Sequence, residues 1–460
     1  MLFRSPMQGP RPALLLALLV LVPLSAAHAQ HLAAKGSCAI RCADGSMQAW
    51  GNNGSGELGT GDYFSWNVPV GVDVPPSVAS IAPGGLAHTA VIMSDGRLWT
   101  WGFNFHGQLG NGNNVDDPVP APILDDVVAA ATGNFHTLAV TNSGTVWASG
   151  INTEGTLGDG TTTSSTTFVQ TTISDVVAVG AGLESSVALK SDGTVWAWGL
   201  NNYGQLGSGP GPSSPLPVQV AVSNVVALSA GRHHVLLLRN DGTVWSFGAD
   251  LYGALGQGTV GLSGTPAPVL GLTDVLSISA GEFSNMAVRA DGSLWAWGRN
   301  AQGQLGIGTT VDTSTPVQVS ALPNVLEASS GVLLSMALAA DGSVWTWGDG
   351  SSGALGNGTN ASSNVPVQVT AACAVGAGVG AVQDPAITVG PNPSHGAVDV
   401  RTTHAGPLHL QLNDIHGRTL LVGTVTGDRS TVDLSAYPPG VYPLVLHTAH
   451  GVSIHRLVKL

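Results

Sequence analysis

One short motif recurs seven times along this chain at a nearly constant interval. Each copy has a tight turn, one or two tryptophans, a glycine and then a glycine-rich loop that ends in Leu-Gly-x-Gly. The glycines that open these loops are Gly51, Gly102, Gly150, Gly199, Gly248, Gly298 and Gly348, at spacings of 51, 48, 49, 49, 50 and 50 residues. A fixed period of this length is typical of one structural unit copied around a ring or along a solenoid. Features shared by all copies therefore serve the scaffold, and function is expected where the copies differ.

The repeat from Val187 to Gly209 shows how each copy is built. Asp192-Gly193 is a two-residue turn between two short strands, and an equivalent turn occurs in every copy. Trp196 and Trp198 on the return strand are two residues apart and therefore face the same side of it. A proline-flanked strand and a further apolar strand complete four short strands, with no helical period. Seven such units predict an all-β fold, a seven-bladed β-propeller, with the tryptophans buried between neighbouring sheets.

The first and last copies suggest how the ring closes. The first copy begins late, with Cys38 to Arg41 as its opening strand, and the last ends in a degenerate segment from Ala374 to Gly378. We therefore expect one blade to combine N-terminal and C-terminal strands. Cys38 and Cys42 lie too far apart along a strand to bridge each other. Either a disulfide from Cys373 to Cys38 or Cys42 closes this seam, or all three thiols stay unpaired.

Composition excludes several classes of function. Of 460 residues, 43% are hydrophobic and 9% are charged, which indicates a folded chain rather than a disordered one. The formal net charge is −13, and no basic patch is visible. A nucleic-acid partner is therefore not expected.

The N-terminal residues have the pattern of a secretory signal peptide. A basic start precedes the apolar run from Ala13 to Leu24, and Ala27-His28-Ala29 is a small-x-small cleavage site. We expect residues 1–29 to be removed, which leaves Gln30 first. The mature chain is then secreted or held at the cell surface, with no transmembrane anchor.

One repeat family resembles these copies. It is the regulator of chromosome condensation repeat family, matched by the run from Asp192-Gly193 through Trp198-Gly199 and Asn201 to Gly204-Gln205-Leu206-Gly207. The family also places a histidine eight residues before the turn glycine, as at His88, His136 and His234. The resemblance covers about residues 33 to 380 and implies a seven-bladed propeller domain, placed here at residues 30–380. Members of the family include nuclear exchange factors for a small GTPase and secreted inhibitors of β-lactamases that use aromatic-rich loops.

The last segment of the chain resembles the C-terminal sorting domain of the type IX secretion system, which is a small β-sandwich. The matching features are Pro391-Asn392-Pro393, Gly440-Val441-Tyr442 and a basic, apolar finish. The resemblance implies a separate domain at residues 387–460, after a linker at 381–386. It also implies that the secretion machinery is a partner and that the tail is removed after export. Pro443 departs from the usual pattern and suggests an edge strand.

The sequence contains no arrangement typical of a catalytic, metal or cofactor site. No His-Glu-x-x-His motif and no nucleophile–base arrangement is present. His233 and His234 are neighbours on a strand and would face opposite ways. Asp116-Asp117 and Asp125-Asp126 fit solvated loop acids better than a calcium site. We therefore expect no catalytic residue, no bound metal and no cofactor.

The two ends of the ring differ in how much their loops vary. Because an antiparallel hairpin returns to its starting side, the Asp-Gly turns lie on one face and the loops after each Trp-Gly lie on the other. Variable aromatic and histidine residues gather on that second face: Phe103, Phe105, His106, Phe135, Tyr203, His233, Tyr252 and Phe283. We expect these residues to bind a partner, with Phe105, Tyr203 and Tyr252 as the main anchors. The alternative is that half of them only pack against neighbouring blades. A second exposed aromatic cluster is expected at Tyr63, Phe64 and Trp66.

Two classes of function stay open on these grounds. The first is a non-catalytic, secreted or cell-surface protein that binds an extracellular protein or glycan through one loop face. The second is an extracellular polysaccharide-acting enzyme, which would need converging carboxylates with perturbed pKa values. Guanine-nucleotide exchange, implied by family analogy, would require cytoplasmic residence and fits an exported chain poorly.

Overall fold

The structure is a computed structural model that describes residues 32–34, 36–82, 87–322, 324–373, 387–390, 394, 396–403, 408–413, 419–425, 427–437, 440–448 and 451–459. The expected signal peptide, the degenerate segment at 374–378 and the linker at 381–386 lie outside these residues. The described chain consists of β-strands joined by turns, with two 3₁₀ turns at η1 (Leu251–Gly253) and η2 (Ser351–Gly353).

Seven four-stranded antiparallel sheets form the blades of a propeller, each from consecutive strands. Blade 1 contains β1 (Leu32–Ala34), β2 (Ser37–Arg41), β3 (Met47–Gly51) and β4 (Trp66–Gly71). Blade 2 contains β5 (Val78–Ile81), β6 (His88–Met93), β7 (Leu98–Gly102) and β8 (Asp117–Leu124). Blade 3 contains β9 (Val127–Thr132), β10 (His136–Thr141), β11 (Val146–Gly150) and β12 (Ser165–Gln170). Blade 4 contains β13 (Val176–Ala181), β14 (Ser185–Lys190), β15 (Val195–Gly199) and β16 (Ser214–Gln219).

The remaining three blades repeat the same order. Blade 5 contains β17 (Val225–Ala230), β18 (His234–Arg239), β19 (Val244–Asp250) and β20 (Gly261–Pro268). Blade 6 contains β21 (Val275–Ala280), β22 (Ser284–Arg289), β23 (Leu294–Gly298) and β24 (Thr313–Gln318). Blade 7 contains β25 (Val325–Ser330), β26 (Leu334–Ala339), β27 (Val344–Gly348) and β28 (Ser363–Gln368). These seven sheets confirm the predicted propeller.

The local sequence explains the hairpin between the second and third strands of each blade. In blade 4, Asp192 Oδ1 accepts hydrogen bonds from the backbone N–H of Thr194 at 2.9 Å and from its hydroxyl at 2.7 Å. Gly193 has a φ of +81°, a conformation that glycine adopts without steric cost. The same carboxylate-to-backbone bond recurs at Asp44, Asp95, Asp241, Asp291 and Asp341. The turn is therefore encoded locally in six of the seven copies, and blade 3 has Ser143-Gly144 instead.

One tryptophan of the third strand is the main contact between blades. Trp198 is fully buried and donates its indole N–H to the carbonyl of Thr156 in the preceding blade at 2.8 Å. Gly158 lies against the same ring, and a Cβ there would stand 2.6 Å from the indole nitrogen. The Leu-Gly step of the loop motif is therefore required for packing between blades. The second tryptophan of the strand, Trp196, is only half-buried, near the Asp-Gly turn.

The expectation that one blade mixes N-terminal and C-terminal strands is wrong. The short strand β1 pairs with β2 and supplies the innermost strand of blade 1, so blade 7 is complete without it. The two blades meet through side chains instead. The backbone N–H of Leu32 donates to Glu327 Oε1 at 3.2 Å, and that of Ala34 donates to Ser329 Oγ at 3.0 Å.

A disulfide joins the same two blades outside the sheets. It links Cys42 to Cys373 with a Cα–Cα distance of 5.3 Å across a sequence separation of 331 residues. Cys38 is a buried free thiol, and it lies 3.5 Å from the carbonyl of Ala354. The ring is thus closed by packing, hydrogen bonds and one covalent bond.

The tail forms two sheets over one apolar core. The three-stranded sheet contains β29 (Ile387–Gly390), β30 (Ala397–Thr402) and β33 (Arg429–Asp433). The four-stranded sheet contains β31 (Leu408–Asn413), β32 (Thr419–Val425), β34 (Gly440–Thr448) and β35 (Gly451–Lys459). Val400 and Val432 of the first sheet share a core with Leu410, Leu412 and Leu444 of the second. This arrangement matches the expected small β-sandwich.

The proline in β34 does not mark an edge strand, contrary to expectation. β34 lies between β31 and β35 in the sheet order. Pairing with β31 runs from Leu444 to His447 and ends before Pro443, which pairs only with Arg456 of β35. The proline therefore lies where the pairing with one neighbouring strand has already ended.

The expected exposed cluster in the first long loop is also partly wrong. Tyr63 and Phe64 are exposed, but Trp66 is buried as the first residue of β4. Its ring and that of Phe64 lie 6.0 and 5.0 Å from the imidazole of His409 in the tail. Trp66 therefore belongs to the core of blade 1 rather than to a free surface.

Candidate functional site

Each seam between blades aligns two equivalent loop positions on the face opposite the Asp-Gly turns, called here the loop face. One position lies in the loop between the third and fourth strands of a blade. The other directly precedes the second strand of the next blade. The seven pairs are Ser55 and Ala87, His106 and Phe135, Glu154 and Glu184, Tyr203 and His233, Tyr252 and Phe283, Gln302 and Leu333, and Ser352 and Gly36. The scaffold is constant around these pairs, and the side chains differ from seam to seam.

Tyr203, His233, Phe283 and Tyr252 form a continuous row of rings across blades 4, 5 and 6, called here the aromatic band. The ring centroids of Tyr203 and His233 are 5.0 Å apart, and those of Tyr252 and Phe283 are 5.3 Å apart. His233 and Phe283, at 6.4 Å, connect the two pairs. Tyr203 and Tyr252 remain 36% and 42% exposed. The band therefore offers an ordered aromatic surface to a partner.

The other four expected residues form a separate cluster on blades 2 and 3. His106 lies at its centre, with ring centroids 4.9 Å from Phe135, 5.1 Å from Phe105 and 6.4 Å from Phe103. Burial lowers the pKa of His106. Phe105 is 66% exposed, whereas the other three are half-buried. Phe105 is thus the one strongly protruding ring of this cluster.

Two carboxylates occupy the seam between the cluster and the aromatic band. Burial raises the pKa of Glu184, and the negative charge of Glu154 raises it further. Glu154 Oε2 accepts a hydrogen bond from the hydroxyl of Ser213 at 2.5 Å. Among the described residues no ring contact crosses this seam, so the eight expected residues form two groups rather than one.

Two arginines lie on rings of the aromatic band. The guanidinium of Arg232 is 5.7 Å from the centroid of Phe283, and it forms an ion pair with Glu282. The guanidinium of Arg299 is 5.2 Å from the centroid of Tyr252. A cation over an aromatic face is attracted by the ring quadrupole, which orders both groups.

His233 contributes to the band as a neutral ring. It is only 9% exposed. Burial, together with the smaller effects of Arg232 and His234, lowers its pKa to about 4. At neutral pH the imidazole therefore packs as an uncharged aromatic group between Tyr203 and Phe283.

Tyr252 has a strained backbone. Its φ and ψ are 61° and 18°, in the left-handed region that bulky residues rarely adopt. At the equivalent position of blade 4, the N–H of Tyr203 donates to the side chain of Gln205 at 2.8 Å. Blade 5 has Ala254 in place of that glutamine, so this bond cannot form. Ser352 adopts the same conformation at the equivalent position of blade 7, where Ala354 replaces the glutamine.

The histidines of the repeat serve the scaffold. His234 Nε2 lies 2.7 Å from Asn285 Oδ1 of the next blade, and His136 Nε2 lies 3.0 Å from Ser186 Oγ. His234 is therefore not a partner of His233 in a metal site. In the described part of the chain, no group of three or more histidine, cysteine, aspartate or glutamate side chains is placed to hold a metal ion. Asp116 instead accepts the backbone N–H of Asn104 at 2.7 Å.

Sequence reasoning located the variable aromatics but missed the charged side chains beside them. Arg299 directly follows a Trp-Gly pair, at the position that Phe103 has in blade 2. Glu154 and Glu184 occupy the same seam positions as His106 and Phe135. A search for charged residues at these three repeat positions would have found all three.

Together, the seven blades and the variable loop face define a β-propeller repeat protein that presents its differing residues at one end of the ring. A family model for the RCC1-like domain matches residues 106–392, and a model for the regulator of chromosome condensation (RCC1) repeat matches residues 78–108. The chain therefore belongs to the RCC1-like domain family. A model for a secretion system C-terminal sorting domain matches residues 388–460, which points to export through the type IX pathway.

Similar proteins agree with this assignment. The Ultraviolet-B receptor UVR8 of Arabidopsis thaliana is 34% identical over 84 residues, 18% of this chain and 19% of the receptor. A Protein RCC2 homolog of Xenopus laevis is 36% identical over 103 residues, 20% of this chain and 19% of the homolog. The matches thus span about a fifth of each curated relative.

Solved structures show the same fold. Prp20p of Saccharomyces cerevisiae, which has described binding properties to Gsp1p and histones, superposes with a TM-score of 0.65 at 23% identity. That match covers 74% of this chain and 87% of Prp20p. Human WBSCR16 superposes with a TM-score of 0.59 at 25% identity, covering 66% of this chain and 85% of that protein. Among the residues described here, no helix has the length and apolar character to cross a membrane.

Proposed function

We propose that this chain is an exported, non-catalytic propeller that binds an extracellular protein or glycan through its loop face. The observation that carries the proposal is the aromatic band, in which three consecutive blades place four side chains in successive ring contacts. Tyrosine and arginine are enriched at the residues that dominate binding energy in protein interfaces. The binding properties described for Prp20p, a propeller of the same fold, are consistent with such a role.

A polysaccharide-acting enzyme is a second candidate, and one observation favours it. Glu184 has a pKa raised by burial and by the charge of Glu154, and both lie on the loop face. Paired carboxylates with separated pKa values are used as general acid and base by glycosidases. The four rings of the aromatic band include no carboxylate, so the two candidates depend on different seams.

The double variant Tyr203→Ala/Tyr252→Ala tests the binding role. The full chain is immobilised and its ligands are selected from a random peptide library and a glycan array. Because loss of a central aromatic anchor costs about 2 kcal/mol, selected ligands should bind the variant at least about thirtyfold more weakly. The free energy of unfolding should change by no more than about 1 kcal/mol, because both side chains are exposed.

The matched control is Val226→Ala/Leu276→Ala. These two exposed apolar residues lie on adjacent blades at the Asp-Gly end of the inner strands. Their loss should leave binding unchanged. Equal loss of binding in both double variants would reject the loop-face assignment. Hydrolysis of a polysaccharide that disappears in Glu184→Gln would establish the enzyme instead.

A further inference from the structure

Arg299 differs from every other basic residue in the described part of the propeller. The other lysine and arginine side chains there each have a hydrogen-bond or ion-pair partner: Arg41, Arg97, Lys190, Arg232, Arg239 and Arg289. Within the described chain, the Arg299 side chain has no hydrogen-bond partner and no ion-pair partner. Its guanidinium instead lies over the ring of Tyr252. Its guanidinium is therefore positioned but has no protein acceptor for its N–H groups.

The charge around Arg299 is unusual for the loop face. The described acids of that face are Glu57, Asp62, Asp116, Asp117, Glu154, Asp159, Glu184, Asp250, Glu282, Asp312 and Asp349. Its described lysines and arginines are Arg232 and Arg299, and both lie on rings of the aromatic band. Arg232 is neutralised by Glu282. The band thus ends at one uncompensated positive charge within an otherwise acidic surface.

We propose that the aromatic band and Arg299 form a docking surface for a protein segment that presents one carboxylate beside an apolar side chain. The apolar side chain packs on Tyr252 and Phe283, and the carboxylate accepts hydrogen bonds from the Arg299 guanidinium. Arginine binds carboxylates through two parallel N–H groups, which gives both energy and orientation. This inference rests on the proposed binding function and adds the chemistry of the partner.

Two observations favour a protein over an acidic polysaccharide. Neighbouring rings of the band meet at angles of 42° to 67°, so they form no flat platform for stacked sugar rings. The seam next to the far end of the band contains Glu154 and Glu184, which would repel a uniformly charged polyanion. A protein segment can place a single carboxylate at Arg299 and leave the other end uncharged or basic.

Arg299→Gln, made in the full chain, tests the inference. Peptides are selected from a random displayed library on the unchanged protein, and the selected pool is sequenced. We expect enrichment of Asp or Glu next to apolar residues. Because a hydrogen bond to a charged group contributes about 1.5 to 3 kcal/mol, a selected peptide should bind Arg299→Gln at least about tenfold more weakly. Changing the peptide carboxylate to its amide should cause the same loss, with no further loss in Arg299→Gln.

Arg239→Gln is the matched control. Arg239 also lies over a ring, 5.3 Å from the centroid of Trp245, but on the Asp-Gly face. This change should alter binding by less than about twofold. Equal effects of the two substitutions, or a selected pool without acidic residues, would overturn the inference.

The remaining outcomes separate this inference from the proposed function. If Tyr203→Ala/Tyr252→Ala abolishes peptide binding and Arg299→Gln does not, the binding face stands and the carboxylate assignment fails. If neither substitution affects peptide binding, the binding face itself is wrong. Arg299-dependent binding of polygalacturonate, or a dimer that sedimentation shows to dissociate in Arg299→Gln, would replace the protein segment with a polyanion or a second copy.

Discussion

Buried histidines hold neighbouring blades together at the level of single residues. His136 contacts Ser186 and His234 contacts Asn285, in each case across a seam. Burial lowers the pKa of His136 to about 3 and that of His234 to about 4, although the bond to Asn285 partly offsets the second shift. Both rings are therefore neutral at neutral pH. Protonation would place a positive charge in the core without a counter-ion.

These pKa values predict a loss of stability in mild acid. As the pH falls below about 6.5, the unfolded chain takes up protons that the folded chain does not bind, so the free energy of unfolding decreases down to the folded pKa. Each histidine should account for about 2 kcal/mol of this loss at pH 5. His136→Ser introduces the residue found in blades 1, 4 and 6, and it should reduce the difference in unfolding free energy between pH 7 and pH 5. Denaturant titration at both pH values measures this difference in unfolding free energy. If the difference is the same in the variant, His136 is not the source of the acid sensitivity.

At the level of elements, the third strand of one blade and the long loop of the preceding blade form a repeated joint. The carbonyl of Thr156 accepts two hydrogen bonds from blade 4, from Trp198 at 2.8 Å and from Ser186 Oγ at 2.8 Å. Blade 5 has Phe247 and Val235 at these positions, and neither side chain can donate a hydrogen bond. The joint therefore recurs between blades, but the number of hydrogen bonds in it differs from one seam to the next.

Trp198→Phe should weaken one joint without changing the fold. The substitution removes the indole donor from a fully buried site, which should lower the free energy of unfolding by about 1 to 3 kcal/mol. Trp196→Phe is the control on the same strand, because Trp196 is half-buried and donates to Thr194 within its own blade. Its effect should stay below about 1 kcal/mol. Equal losses for both variants would show that the joint to Thr156 contributes nothing.

For the whole molecule, the central question is how a ring of separate sheets stays closed. Blades 7 and 1 share the usual joint, since Trp50 donates to the carbonyl of Ala354 at 3.2 Å. Because none of the described strands crosses this seam, the disulfide from Cys42 to Cys373 is the covalent link between them. In the chain-entropy description, a bond that closes a loop of 331 residues strongly restricts the unfolded ensemble.

Breaking this bond should lower the stability of the entire propeller. Cys42→Ser should reduce the free energy of unfolding by about 2 to 5 kcal/mol. A reducing agent should destabilise the unchanged protein to a similar extent and should therefore lower its Tm. Cys38→Ser keeps the disulfide, so its Tm should remain sensitive to reduction. Thermal melts with and without reductant provide the measurement. A Tm that does not respond to reductant would mean that the seam is held by packing alone.

The repeating residues were sufficient to predict the architecture. Asp192-Gly193 forms its turn through bonds within three residues, and Trp198 packs in the same way as its equivalents in other blades. Such features are local or recur in most repeats. They can therefore be predicted from the repeat of about fifty residues without knowing the contacts between distant residues. The sorting domain of the tail is likewise a continuous segment of the sequence.

The tertiary structure alone decided how the variable residues combine and how the ring closes. Tyr252 and Phe283 come from different blades, and so do Glu154 and Glu184, which separate the expected site into two groups. Their proximity depends on packing between sheets, which no local pattern records. The same is true of β1, whose three residues complete blade 1 and make a shared blade unnecessary. Sequence determines what each blade is made of, whereas contacts across the seams determine what the loop face can bind.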